Sequence, residues 1–270
     1  MKYKIGEVSR ILDIPIDTIR FYQKQGIVAP RRDADNNYAY FDESDMRMLL
    51  RYKKHRGLGF STKEIAGILS DDDFEAYLSR CRDKQKDIED SLNWFNLLRM
   101  KNQNYINVLS SIPWNLGRYT LTEQPEAYYF INRKNDLYVT KDKLEGVFEN
   151  WMQFYPFIEN YYSISCEDIA RRRKECDYRF GFSIKKQWAD ALHVLINEHV
   201  QIIPRRKAVY TVMQTTDDQP FTSDMFMVAV DFIEAHQLHI SGDVQGNILT
   251  ELHEGNHSVR HMEVWIPVES

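Results

Sequence analysis

The sequence predicts a multidomain α and α+β protein. Three observations carry this. A pair of short helices joined by a tight turn and followed by an aromatic hairpin forms a winged helix-turn-helix near the N-terminus. About forty residues without Gly or Pro, apolar at near-heptad spacing, form one long helix. After Pro113 a strand–helix–strand rhythm runs twice, as in a duplicated α+β domain. The corresponding boundaries are 1–71, 72–112, a linker at 113–119, and 120–270.

The first helix is Ile5 to Leu12. Asp13-Ile14-Pro15 breaks it, and Pro15 fixes the entry to a second helix, with Asp17 and Thr18 placed to cap it. That helix runs to Gly26, which suits a left-handed C-terminal cap. Two helices so joined form a helix-turn-helix, and the second reads as a recognition helix carrying Arg20 and Lys24 beside Phe21 and Tyr22. The polar stretch Pro30 to Asn37 followed by Tyr38-Ala39-Tyr40-Phe41 predicts a hairpin wing, with Arg31, Arg32, Asn37, Tyr38 and Tyr40 available to phosphates. Asp42 to Arg56 predicts a helix with Met46, Leu49 and Leu50 inward and a basic end at Arg51, Lys53, Lys54 and His55. Ser61 caps the next helix, from which Ile65, Ile68 and Leu69 pack inward.

The ordered pieces Tyr3-Lys4-Ile5-Gly6-Glu7-Val8-Ser9, Thr18-Ile19-Arg20-Phe21-Tyr22, Gly26-Ile27-Val28-Ala29-Pro30, Asn37-Tyr38-Ala39-Tyr40-Phe41 and Leu58-Gly59-Phe60-Ser61-Thr62-Lys63-Glu64-Ile65 resemble the N-terminal signature of the MerR family of transcription regulators. The resemblance covers about the first seventy residues. It departs from the family at Ala39, where a basic residue usually stands between the two wing tyrosines.

From Asp72 to about Ile112 the chain predicts a single helix of roughly 60 Å at 1.5 Å per residue. Asp71-Asp72-Asp73 favours its N-terminus. Its seam is Phe74, Leu78, Cys81, Ile88, Leu92, Phe95, Leu98 and Leu109. The family resemblance implies an antiparallel coiled coil between two copies, hence a homodimer.

Beyond the linker, strands are expected at Glu126–Ile131, Tyr178–Ile184, Lys207–Met213, Ile248–Leu252 and His261–Val268. Helices are expected at Lys141 to about Tyr155, with Leu144, Val147, Phe148 and Trp151 on one face, and at Ser223 to about His236. Residues 125–184 and 207–268 read as two diverged copies of one unit. This layout, ending in Met262-Glu263-Val264-Trp265-Ile266-Pro267-Val268, resembles the gyrase-inhibitory-protein-like effector domain, which within the MerR family implies multidrug sensing.

Composition bounds the rest. The 270 residues carry a net charge of −5, but residues 1–70 hold 13 Lys and Arg against 9 Asp and Glu. Phosphate attraction is local, so the basic N-terminal part outweighs the total. No apolar run is long enough to span a membrane, the start lacks a signal-peptide core, and the scattered Cys81, Cys166 and Cys176 suit a reducing compartment, so a cytoplasmic protein is expected.

Aromatic walls suit flat hydrophobic ligands. Trp151 and Tyr155, spaced i, i+4, and Tyr178, Phe180 and Phe182, alternating on one strand, are the chosen ligand contacts. Drug-sensing relatives place a buried carboxylate where this chain has about Gly246. Glu251 and Glu263 are the substitutes. The histidines form no catalytic or metal pattern (His253 and His257 flank a Gly-containing loop), so no cofactor, metal or enzymatic activity is expected. The expected function is a ligand-responsive DNA-binding regulator, an activator that distorts promoter DNA when a small hydrophobic effector binds. Its partners are a palindromic operator, RNA polymerase and a second copy. A small-molecule hydrolase or a protein-interaction module is the alternative for the C-terminal domain.

Overall fold

The computed structural model describes residues 2–32, 38–70, 73–135, 137–173, 176–216, 222–254 and 257–269. The chain divides into two compact units, Met1–Phe95 and Asn96–Ser270.

In the first unit, β1 (Tyr3–Lys4) leads into α1 (Ile5–Leu12), and α2 (Ile16–Lys24) follows. Asp13 takes the left-handed conformation, φ 50°, and its backbone N–H closes α1 by bonding to Ser9. Pro15 starts α2, and no side chain caps it: Asp17 and Thr18, expected as caps, lie inside the helix. β2 (Arg31–Arg32) and β3 (Ala39–Phe41) form the hairpin, and β1 joins it in the order β1-β3-β2. The expected two-stranded wing is therefore three-stranded, with Tyr3 opposite Phe41 and Arg31 opposite Tyr40.

α3 (Glu43–Gly57) begins with a capping box, Asp42 and Asp45 each accepting the other's backbone N–H at 3.0 Å. α4 (Thr62–Ser70) begins with another, between Ser61 and Glu64, as expected for Ser61. The core gathers Val8, Leu12, Ile19, Tyr22, Phe41, Leu49, Tyr52, Ile65 and Ile68. Leu50, expected inside, is exposed, because helical periodicity turns Leu49 and Tyr52 inward instead. His55, expected in a basic surface, is buried. Its ring nitrogens meet the Arg51 carbonyl at 2.7 Å and the Tyr77 hydroxyl at 3.2 Å.

α5 (Phe74–Asn115) is one helix. Asp73 accepts the Glu75 N–H at its start, while Asp71 and Asp72 lie outside the described residues. It runs through Pro113, beyond the expected end at Ile112. A proline this near the C-terminus costs little, since few later turns depend on the bond it removes.

In the second unit the chain continues through β4 (Thr120–Gln124), β5 (Ala127–Lys134), β6 (Leu137–Tyr138), α6 (Val147–Met152), β7 (Glu159–Ile164), α7 (Cys166–Ala170), β8 (Tyr178–Lys185), α8 (Lys186–Leu192), β9 (Gln201–Ile203), β10 (Arg206–Thr216), α9 (Met227–Ala235), β11 (His239–Ile240), β12 (Val244–Glu254) and β13 (His257–Glu269). The helix expected over Lys141–Tyr155 is broken. A 3-10 turn at Lys141–Leu144 ends where Glu145 and Gly146 both adopt positive φ, 46° and 79°, and a second 3-10 turn holds Tyr155–Phe157. Trp151 and Tyr155 thus do not share a helix.

The sheet order is β4-β10-β13-β12-β7-β8-β5-β6. From the central β12–β7 pair outward, one side reads β12, β13, β10 and the other β7, β8, β5, so the two halves have matching strand orders. One face carries Val209, Val244, Val264, Ile266 and Val268 against Phe226, Ala229 and Ile233, and Phe130 against Trp151. The other face carries Glu263, Trp265, Tyr161 and Tyr129, by alternation along the strands.

Candidate nucleic-acid interface and ligand hollows

The N-terminal unit presents a cationic groove of about 630 Å³, lined by Lys4, Arg10, Arg20, Gln23, Arg32 and Tyr38 among others. α2 supplies Arg20 and Gln23, spaced i, i+3 on one face, and the wing supplies Arg32 and Tyr38. The Arg20 side chain is 64% exposed and pairs with Asp17 at 3.4 Å. Among the described residues of the lining four cations face one acid, Glu7, and that carboxylate accepts the Lys4 backbone N–H at 2.7 Å. Sequence reasoning missed Lys4, Arg10 and Gln23. The spacing of Gln23 one turn after Arg20 was the available signal.

The other expected contacts divide. Phe21, Lys24, Arg31 and Lys54 are exposed, and Thr18 and Tyr40 are half-buried. Tyr22 is core, its ring 4.1 Å from that of Tyr52, because helical spacing from Ile19 turns it inward. Lys53 is occupied: its ammonium donates to the carbonyls of Leu12 (2.9 Å) and Asp13 (3.0 Å), satisfying the C-terminus of α1. Asn37 lies outside the described residues.

The expected ligand contacts do not converge on one place. Trp151 is fully buried; its Nε1–H donates to the Leu195 carbonyl at 2.9 Å and its ring meets Phe130 edge-on. Tyr155 lies in a groove of about 440 Å³ with Lys101, Tyr105 and Ile158. Tyr178, Phe180 and Phe182 do share a sheet face, but it is the face that packs on α6, where Phe182 meets Phe130 and Phe148. Phe180 and Phe182 also reach a hollow of about 390 Å³ shared with Arg133, Tyr138, Glu251 and Arg260.

Glu251 and Glu263 occupy different surroundings. Glu251 pairs with Arg260 at 2.9 Å, and that hydrogen bond holds its carboxyl below the usual range. Glu263 stands on the opposite face. Burial pushes its carboxyl above the usual range, against the favourable charge of Lys185 and a hydrogen bond from Asn247. A short chain fixes it: the Ser183 hydroxyl donates to Asn247 Oδ1 at 2.7 Å, and Asn247 Nδ2 donates to Glu263 Oε1 at 2.7 Å. Gln124, Tyr161, Lys185, Gln245 and Trp265 close around a space of about 30 Å³. That is room for roughly one water. Tyr210 stacks near Trp265 at 4.5 Å on this face, and burial pushes its hydroxyl upward.

Position 246 itself has no room for a carboxylate. A Cβ there would lie 1.8 Å from the Glu263 carbonyl and 2.6 Å from the Tyr162 hydroxyl. That hydroxyl donates to the same carbonyl at 2.9 Å. Any side chain at 246 would break this packing.

For metals, Glu145, Glu198 and His199 bring their donor atoms within 4.8 Å of one another among the described residues. Both glutamates are exposed, and surface carboxylates gather so without an ion. His253 Nδ1 meets the Ser258 hydroxyl at 3.0 Å, and the side chain of His257 is not among those described.

Residues 3–72 match the family described as MerR HTH family regulatory protein. Over 68 residues the chain is 34% identical to the HTH-type transcriptional regulator ZntR of Escherichia coli (strain K12), a stretch that covers 25% of this chain and 48% of ZntR. It is 36% identical over 66 residues to the HTH-type transcriptional regulator HmrR of Rhizobium leguminosarum bv. viciae, 24% of this chain and 50% of that one. The chain spans about half the length of these curated relatives. Among solved structures, that of the EcmrR–DNA complex in EcmrR-RPo aligns over 99% of this chain and 100% of that chain, at 17% identity and a TM-score of 0.36.

Proposed function

We propose that the chain is a dimeric, ligand-responsive transcription regulator that binds promoter DNA. The observation that carries this reading is the cationic groove between α2 and the wing, where Arg20 and Arg32 are exposed together. Guanidinium groups on a helix face suit base edges in the major groove, and those on a wing suit phosphates. One such head offers few contacts, so affinity requires a second copy on a palindromic site. The exposed apolar stripe Ile88, Leu92 and Phe95 on α5 supports an antiparallel coiled coil as the means.

The C-terminal domain, read as a duplicated effector-binding fold, supplies the response. Its supporting feature is the half-buried Glu263, fixed by Asn247 among Tyr161, Tyr210 and Trp265. A small hydrophobic effector that displaces the side chains closing this one-water space biases two states of the dimer. The distorted promoter then becomes a better substrate for RNA polymerase, with DNA shape carrying the signal. The ligands of ZntR and HmrR are not carried over, since the likeness ends before the second unit.

The test is an operator titration by gel shift with Arg20→Ala, after selecting operator sequences from a random pool. Loss of specific binding with an unchanged melting temperature is expected. Unchanged affinity would reject α2 as the reading helix.

A further inference from the structure

We infer that the hollow between the β5–β6 hairpin, β8 and the outer ends of β12 and β13 binds a flat aromatic carboxylate. It opens on the sheet face opposite Glu263, so it is a separate site, and the inference does not rest on the DNA-binding reading.

The hollow has about 390 Å³. That lies in the range of small-molecule sites, roughly 300–1,000 Å³. Arg133 is its centre. The guanidinium carbon sits 4.3 Å from the Phe180 ring centroid, with the Tyr138 and Tyr178 rings at 5.6 and 5.9 Å. Aromatic faces on several sides hold the plane of the fork in place. The donors of that fork are poorly used. Nε is buried with no hydrogen-bond partner among the described residues, and Nη1 reaches the Tyr138 hydroxyl only at 3.4 Å. A buried guanidinium N–H without an acceptor is costly, and an acceptor arriving from solvent relieves that cost.

Charge selects the ligand. Arg133 and Arg260 face Glu251, and Glu251 is already committed to Arg260 at 2.9 Å. Among the described residues one positive charge is left over, and it lies on Arg133. A carboxylate answers it with two parallel hydrogen bonds in the fork geometry. An ammonium ligand meets net repulsion instead. Phe180 and Phe182 supply the apolar wall for the rest of the molecule, and the side-chain amides of Asn132 and Asn160 line the rim. The surroundings of Glu263 are complementary in sign: a half-buried carboxylate there, an unanswered guanidinium here.

The experiment is calorimetric titration of the full chain with naphthoate, naphthamide and naphthylmethylammonium, which share a ring system and differ in charge. Naphthoate should bind about tenfold or more tightly than the amide, the difference set by a charge-assisted pair over a neutral one. The ammonium should bind no better than the amide. Arg133→Gln should reduce naphthoate to the level of the amide, and Arg133→Lys should retain part of the preference, since it keeps the charge and loses the fork. Arg205→Gln, which removes an exposed guanidinium outside the hollow, should leave naphthoate affinity within about twofold. Equal binding of naphthoate and naphthamide to the unsubstituted chain would overturn the inference whatever the variants do. So would naphthoate binding that survives Arg133→Gln, or that is lost in Arg205→Gln.

Discussion

Lys101 of α5 and Glu159 of β7 form an ion pair in which the lysine is buried. Glu159 also lines both the Tyr155 groove and the space around Glu263. The pair therefore ties the C-terminal part of the long helix to the strand that borders the proposed effector position. Removing one partner strands the other. Lys101→Met should cost about 2–3 kcal/mol in urea unfolding, toward the lower side of buried pairs because the Glu159 side chain keeps 29% exposure. The double variant Lys101→Met, Glu159→Gln should recover about half or more of that loss. Strictly additive losses would show that the two residues do not act as a pair.

Glu263 makes stability depend on pH in an unusual direction for a carboxylate. Burial raises its folded-state pKa above the unfolded value. The folded state thus holds the proton more tightly, and that contribution is fully present below the ordinary carboxylate range. It is lost as pH rises through the raised folded value. Glu263→Gln keeps an acceptor for Asn247 Nδ2 and carries no charge. The variant should be more stable than the parent at neutral pH, and the two melting temperatures should converge as the pH is lowered. A parent that gains stability over the same rise, relative to the variant, would mean the carboxylate is held ionised.

These residues show how much was readable beforehand. The order of elements in the first seventy residues follows from local signals: Pro15, the Ser61–Glu64 spacing, and the inward pairs Val8/Leu12 and Ile19/Tyr22. Tyr22 was nonetheless taken for a DNA contact, since a resemblance marks a position without saying which way it faces. Trp151 and Tyr155 were joined by spacing alone, and the helix that would have joined them ends at Met152. Lys53 caps a helix forty residues away in sequence, a through-space contact that no local pattern announces. Glu263 could be named as a candidate, but its face became known only from its registry beside Asn247. Arg133 was missed altogether, since a lone arginine in a strand gives no signal until Phe180 lies beneath it.

Glu64 gives the N-terminal unit an acid sensitivity of the ordinary sign. Its carboxylate accepts from Lys84 at 2.7 Å and from the Ser61 backbone N–H at 2.6 Å, and these bonds lower its pKa to about 2, Lys84 contributing most. A depressed folded value means the stabilisation is present above the unfolded carboxylate value and fades as pH falls toward about 2. The group is solvent-screened, so the ion pair itself is worth little, and the cap carries most of the effect. Glu64→Gln should cost about 1 kcal/mol at neutral pH, and the difference from the parent should vanish in acid. Circular dichroism melts of the two proteins across that interval read this directly. A gap that persists in acid would assign the loss to packing.

The neighbouring lysines Lys53 and Lys54 should separate stability from DNA affinity. Lys53 spends two of its three ammonium N–H groups on the carbonyls of Leu12 and Asp13, so a close phosphate contact competes with that cap. Lys54 is exposed on the next position of α3. Lys53→Met should therefore lower stability by about 1 kcal/mol, the usual net value of such bonds, and leave the salt dependence of DNA binding unchanged. Lys54→Met should leave stability within about 0.5 kcal/mol, as surface substitutions do. If Lys54 meets a phosphate, its loss should also reduce the slope of log affinity against log salt by about 1 per binding head. Melting curves and gel shifts at a series of salt concentrations test both halves. A reduced salt slope for Lys53→Met with an unchanged melt would return Lys53 to the DNA face and remove the cap from its role.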